Sequence, residues 1–350
     1  MNGEFYKGKK ILITGNTGFK GSWLSFCLLN FGANVVGYSL KPPTNPSLYE
    51  ILQLGNDMNT YCKDIRDYES LHECFVKEKP EIVFHLAAQP IVREGYKNPR
   101  DTYECNVMGT VNVLEAARCT DAVRSLLNIT TDKVYRNNEW EWGYREDDIL
   151  DGYDPYSNSK SCSELVTASY RRSFFAERPM ALSTVRAGNV IGGGDFAVDR
   201  IIPDCLRAIE KGEAILVRNP HSVRPYQHVL ESLDAYMLVA ERQYADGTLS
   251  GSYNVGPEDQ DCISTGALVN YYCKLWGKEV NWHAQETAGP HEANFLRLDS
   301  SKIKNRLGWH AVWGIHEALE KTVEWQKAYL AKKDMREIVK KQLDEFAKSK

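Results

Sequence analysis

Along residues 9–188, apolar and polar positions follow two alternating rhythms. Short runs rich in β-branched residues, KILIT (10–14), NVVGYS (34–39), EIVFHLAA (81–88), VRSLLNIT (123–130) and ALSTVRAG (181–188), are separated by amphipathic stretches of helix length. Strands that alternate with helices predict βαβ units, hence a parallel sheet covered by helices on both faces. The expected fold class is α/β, a doubly wound parallel sheet. Beyond residue 190 the strand signals thin out to EAILVR (213–218), GSYNV (251–255) and EVNWH (279–283), and helical stretches at 227–245, 262–275 and 315–332 dominate. The expected division is a doubly wound unit over residues 1–188 and a smaller mixed unit over 189–350, with some chain crossing back to the first. Past Lys332, Met335, Ile338, Val339, Leu343 and Phe346 recur at helical spacing and predict a last helix.

Composition narrows the function classes. With 43% hydrophobic and 26% charged residues the chain can bury a large core, and a formal net charge of −4 offers no basic footprint for a nucleic acid or an anionic membrane. Nine cysteines without a CxxC and eight histidines without an HxxxH indicate neither a disulfide framework nor a metal cage. No apolar run reaches the ~18 residues of a membrane span, and the N-terminus lacks signal-peptide architecture, so a cytoplasmic protein acting on a small ligand is expected.

The first chemical signal is KKILITGNTGFKGSWLSFCLL, which sets Gly15, Gly18 and Gly21 directly after the first strand and at the start of an apolar helix. Glycines there permit a tight turn and close approach of a diphosphate to the helix N-terminus, where N–H groups and the helix dipole favour negative charge. The GxxGxxG spacing resembles the extended short-chain dehydrogenase/reductase family. That resemblance implies a Rossmann-like fold and NAD contacts from Gly15, Thr17, Gly18, Phe19, Lys20 and Gly21. It also implies contacts from Asp64 and Ile65 at the adenine edge and from Leu86, Ala87 and Ala88 under the ribose. The acid expected after the second strand is replaced by Tyr38, Ser39 and Lys41, which keeps NADP open.

A second signal is GYDPYSNSKSC, where Asp154 and Pro155 read as N-cap and first helical residue. Tyr156 and Lys160 then fall one turn apart on one face, and the YxxxK pair resembles the catalytic pair of the same family. A phenol of pKa near ~10 serves as a base near neutrality only after lowering by ~3 units, about 4 kcal/mol. Lys160 and the positive nicotinamide are the expected sources of that shift.

The third signal is Thr131-Asp132-Lys133 at the end of the fifth strand, on the sheet edge where open α/β folds hold ligands. Alcohol oxidation needs Tyr156, Lys160 and a hydroxyl such as Thr131. The added acid and amine imply a second proton transfer. Together with IVFHLAAQPIVR, VRAGNVIGGGDF and RNPHSVRPYQHVLE, the triplet resembles the sugar-nucleotide 4,6-dehydratases, and Lys in its third place resembles their CDP-glucose branch. The resemblance implies oxidation at C4 with Tyr156 as base, loss of water across C5 and C6 with Asp132 as acid, and hydride return to C6. Either Lys133 or Tyr156 would handle the C5 proton. The implied partner is CDP-glucose or another nucleotide-activated hexose, held by Gln89, Asn189, Arg224, Asn254 and His291, with Glu292 beside it.

The loop over 136–153 carries Trp140 and Trp142, which either cover the sugar or pack in the core. Family members pair through the helix after Asn106-Val107 and the catalytic helix, so a homodimer is expected. A nucleotide-sugar 4-epimerase or 4-dehydrogenase would share everything except a need for Asp132, and a non-catalytic NAD-binding sensor would need none of the catalytic residues.

Overall fold

The computed structural model describes residues 1–277, 280–284 and 295–350. Seven parallel strands form the main sheet: β1 (Lys10–Thr14), β2 (Asn34–Ser39), β3 (Asn59–Cys62), β4 (Ile82–His85), β5 (Ser125–Ile129), β6 (Ala181–Ala187) and β7 (Ser252–Val255), in the spatial order β7-β6-β5-β4-β1-β2-β3. The order reverses between β1 and β4, so the C-terminal ends of these strands open a crevice there, as doubly wound sheets do.

Alternation along each strand assigns its side chains to two cores. Ile11, Ile13, Ile82, Phe84, Leu127 and Ile129 join one, while Leu12, Val83 and Leu126 join the other. The first core is covered by α1 (Phe19–Asn30) and the second by α2 (Tyr68–Glu78), α3 (Gly109–Arg118) and α4 (Pro155–Tyr170). Both faces are buried, which is why the strands read as nearly continuous apolar runs.

After β6 come α5 (Ile201–Lys211), α6 (Val229–Ala245), α7 (Thr265–Trp276), α8 (Ile315–Leu330) and α9 (Met335–Lys348). A third core gathers Ile202, Ile215, Val217, Leu268, Val269 and Leu319. Elements of the second half serve the first: α6 packs into the first core, and β7 pairs with β6, Ser252 opposite Thr184 and Val255 opposite Ala187. The expected last helix is α9, and its Met335, Val339, Leu343 and Phe346 join the core under the sheet. Among the described residues no helix is long and apolar enough to cross a membrane, and no cluster of three or more His, Cys, Asp or Glu could hold a metal.

Candidate active site

The three glycines of the first turn have different reasons to lack a side chain. Gly15 has φ +75, and a Cβ there would lie 2.7 Å from the Ala87 amide nitrogen; at Gly21 it would lie 2.1 Å from the Gly15 carbonyl oxygen. Both are required by the packing of the turn itself. Gly18 is not, since a Cβ there would meet only the Gly15 oxygen at 3.5 Å. Gly18 also caps α1 without a side-chain hydrogen bond, so the Phe19, Lys20 and Gly21 amides have no intrahelical acceptor and no cap. The turn is thus an open cradle at a positive helix end, which fits a dinucleotide diphosphate.

Thr17 fastens this turn to β2: its hydroxyl lies 2.8 Å from Ser39 Oγ and donates to the Leu40 carbonyl at 3.0 Å. Leu86, Ala87 and Ala88 are half-buried beyond β4, and the Ala87 amide donates to Thr14 Oγ1. The Asp64 carboxylate is gripped by Arg66 through Nε at 3.0 Å and Nη2 at 2.6 Å, which holds it below the usual carboxylate range. Ile65 packs on Gly109, where a Cβ would come within 2.4 Å of it. Lys41 is exposed.

The catalytic-type helix α4 starts as its sequence predicts. Asp154 Oδ1 accepts from the Ser157 amide at 3.0 Å, and Pro155 occupies the first turn. This seats Tyr156 and Lys160 in the interior, 8% and 4% exposed. Lys160 Nζ donates to the Ile129 carbonyl at the end of β5, 3.2 Å away, and burial pushes its amine down to about 8 against the pull of Cys105 and Glu164. Tyr156 moves opposite to the direction expected from the sequence: burial pushes its phenol up to about 12, while a Thr131 hydrogen bond and the Arg200 charge draw it down. Desolvation of the phenolate outweighs what the surrounding side chains supply.

Thr131 caps a single 3₁₀ turn, Asp132–Val134, leaving β5. Its hydroxyl donates to Asp132 Oδ1 at 2.9 Å, and Asp132 is buried with no partner on Oδ2 among the described residues. A buried carboxylate oxygen without a partner is costly, which marks it as a group whose bonding is incomplete. A cleft of about 910 Å³ is lined by Thr131, Asp132, Lys133, Tyr156, Asn189 and Arg224 together. Arg224 is buried, and among the described residues its guanidinium donates to the Val223 carbonyl alone, at 3.4 Å.

Two expected substrate residues lie elsewhere. Asn254 is fully buried at the β7 edge, where Oδ1 accepts from Tyr135 and Nδ2 donates to the Tyr144 carbonyl. The Gln89 amide is committed to its own loop, donating to Thr102 Oγ1 and accepting from the Ile91 amide. His291 and Glu292 lie outside the described residues. Trp140 packs against Tyr144 at 5.2 Å between ring centres and Trp142 is exposed; neither lines the cleft. Sequence reasoning missed Arg93, Arg200 and Arg218 on the cleft wall. Arg93 stands in the short helix Val92–Lys97, and Arg200 and Arg218 stand outside regular elements, where no periodic signal separates a lining arginine from a solvated one.

The model of the family described as GDP-mannose 4,6 dehydratase matches residues 12–322. The chain is 48% identical over 349 residues to the CDP-glucose 4,6-dehydratase of Salmonella typhimurium, covering 98% of this chain and 97% of that protein. It belongs to the GDP-mannose 4,6 dehydratase family. Members and relatives differ in chemistry: the CDP-paratose 2-epimerase of Salmonella typhi is 27% identical, over 90% of this chain and 98% of that one. Among solved structures, the UDP-glucose 4-epimerase of Thermotoga maritima superposes with a TM-score of 0.80 at 23% identity, covering 91% of this chain and 99% of that one. The dTDP-glucose 4,6-dehydratase of Bacillus anthracis, in complex with NAD, gives 0.77 at 20%, covering 94% and 100%. At those identities the likeness establishes the doubly wound fold of the family.

Proposed function

We propose that this protein is a CDP-glucose 4,6-dehydratase, an NAD-dependent lyase forming CDP-4-keto-6-deoxyglucose. The observation that carries dehydration is Asp132, a buried carboxyl on the lining of the cleft that Tyr156 also lines, with one oxygen unpartnered among the described residues. Oxidation and epimerisation at C4 need no such acid, whereas expelling a C6 hydroxyl does. Identity of 48% to a CDP-glucose 4,6-dehydratase across nearly the whole chain supports the same substrate.

The open cradle at Gly18 and the uncapped α1 amides would hold the cofactor's diphosphate, with Asp64, Ile65 and Leu86–Ala88 along the adenosine half. Bound there, NAD supplies the electron acceptor for C4 and the donor for C6. Tyr156 takes the C4 hydroxyl proton, with the Thr131 hydroxyl beside it, and Lys160 stands one turn further along the same helix face. Asp132 protonates the departing C6 hydroxyl, and the C5 proton passes to the neutral amine of Lys133 or, with Lys133 offsetting the enolate charge, to Tyr156 once it has released the C4 proton. Arg224, without a carboxylate partner among the described residues, suits the substrate diphosphate through its planar fork of donors. Asn189 contacts the sugar, and most of the nucleotide side comes from residues 189–350.

Met108, Leu165 and Phe174, exposed on or beside α3 and α4, support a homodimer through those helices.

CDP-glucose carrying deuterium at C4 tests the reading. A dehydratase gives a product lighter by one water with deuterium at C6 and a solvent proton at C5. A C4 epimerase would return the deuterium to C4, and a C4 dehydrogenase would accumulate reduced cofactor; either result overturns the proposal.

A further inference from the structure

Lys20 lies at the second position of α1, inside the glycine-rich turn, yet it also lines the cleft that holds Asp132 and Tyr156. Among the described residues it is the one member of the turn from Gly15 to Gly21 that does both. Its amine has a single hydrogen bond, to the Tyr236 hydroxyl of α6 at 3.3 Å, and no carboxylate within ion-pair distance among the described residues. The charged groups facing it come from every neighbouring element: Arg200 and its partner Asp195 ahead of α5, Asp132 after β5, and Lys160 on α4. Such an amine is poorly explained as a structural residue, because burial of an ammonium without a counter-ion costs stability.

Its position is informative when the cofactor reading is granted. A dinucleotide whose diphosphate rests on the α1 amides and whose ring is reached by Tyr156 and Lys160 must run past Lys20, since Lys20 belongs to both places. Oxidised nicotinamide carries a positive ring, and reduced nicotinamide is neutral. A cation held beside that ring in a partly desolvated cleft repels the first and tolerates the second.

We propose that Lys20 sets the redox preference of the site, its ammonium favouring the reduced over the oxidised nicotinamide so that the C4 oxidation is drawn forward and the reduced form is retained until hydride returns to C6. The inference rests on the nicotinamide reading of the site. Burial, with Arg200 next, pushes the free amine down to about 7, so its charge is adjustable near neutrality. A bound diphosphate would move that titration upward. The preference for reduced cofactor should therefore be full at about pH 6 and decline as pH rises through and above about 7.

Calorimetric titration of wild type, Lys20→Met and Lys20→Arg with oxidised and reduced cofactor, without sugar, tests this. Wild type should bind the reduced form more tightly at about pH 6 by a factor of about tenfold or more, falling toward about pH 9. Lys20→Arg should keep the preference at both pH values, and Lys20→Met should have little at either. Equal ratios in wild type and Lys20→Met, with both forms binding, would overturn the role of Lys20 and leave the nicotinamide reading intact. Failure of wild type to bind either form would overturn that reading and this inference with it.

Discussion

The Thr131 hydroxyl donates to Asp132 Oδ1 at 2.9 Å and leaves Oδ2 without a partner among the described residues. One oxygen is thus held and the other is unpartnered, on a residue that lines the cleft. Asp132→Asn keeps the shape and removes the acid. Product formation should slow by roughly 10²–10⁴-fold, while C4 oxidation persists and reduced cofactor builds up in the ultraviolet spectrum. Turnover at the wild-type rate would remove Asp132 from the elimination.

Tyr156→Phe should abolish both oxidation and dehydration, by at least about 10²-fold, because without the phenol the assigned base for the C4 proton is gone. Mass analysis of the product after long incubation checks this. Full conversion would show that the phenol is not the base.

The Gly18 and Gly21 pair separates folding from binding. Gly18→Ala meets only one atom, at 3.5 Å, and should unfold in urea within about 1 kcal/mol of wild type while its affinity for cofactor falls. Gly21→Ala drives a methyl to 2.1 Å from a carbonyl oxygen and should lose stability as well. Undiminished cofactor affinity in Gly18→Ala would empty the cradle argument.

Lys160 carries a pH signature. Its folded pKa of about 8 lies below the unfolded value of 10.5, so between these limits the unfolded chain binds more protons and wild-type stability rises with pH. Relative to Lys160→Met, wild type should gain up to about 1.4 kcal/mol per pH unit across that window, and nothing below it. A flat difference in urea midpoints would show that the amine titrates normally.

The Glu164 carboxylate accepts from Arg186 at 2.8 Å, Thr184 at 2.7 Å and Thr130 at 2.5 Å, and the Arg186–Glu164 pair is almost wholly buried. Glu164→Gln would leave the guanidinium unpaired, costing about 3–5 kcal/mol in unfolding free energy. A loss below about 1 kcal/mol would indicate that water reaches Arg186.

Much of this architecture was legible because parallel sheets are buried on both faces and punctuated by helices. The five runs read as strands over 9–188 and GSYNV after them all lie in the main sheet, while EAILVR and EVNWH pair with each other outside it, and the turn at Gly15–Gly21 and the cap at Asp154 stand where their local chemistry requires. The edge strand NTYC (59–62), polar and half-exposed, carried no run to detect. Asn254 and Gln89 are polar residues at strand ends, and the sequence does not tell whether such a residue faces a ligand or closes a network. Arg200 and the cleft-facing amine of Lys20 depend on contacts across more than a hundred residues, which no local pattern encodes.

Because β7 lies more than sixty residues beyond β6, a ribosome releases the whole of the glycine turn, the Thr131–Lys133 turn and α4 while the β6 edge still lacks its partner. During that interval unpaired backbone groups and the apolar positions later covered by α9 face solvent together, a combination that invites edge-to-edge pairing between nascent chains. Yield in cells should therefore depend on elongation rate and chaperone supply over residues 190–340 more than on any property of the finished sheet.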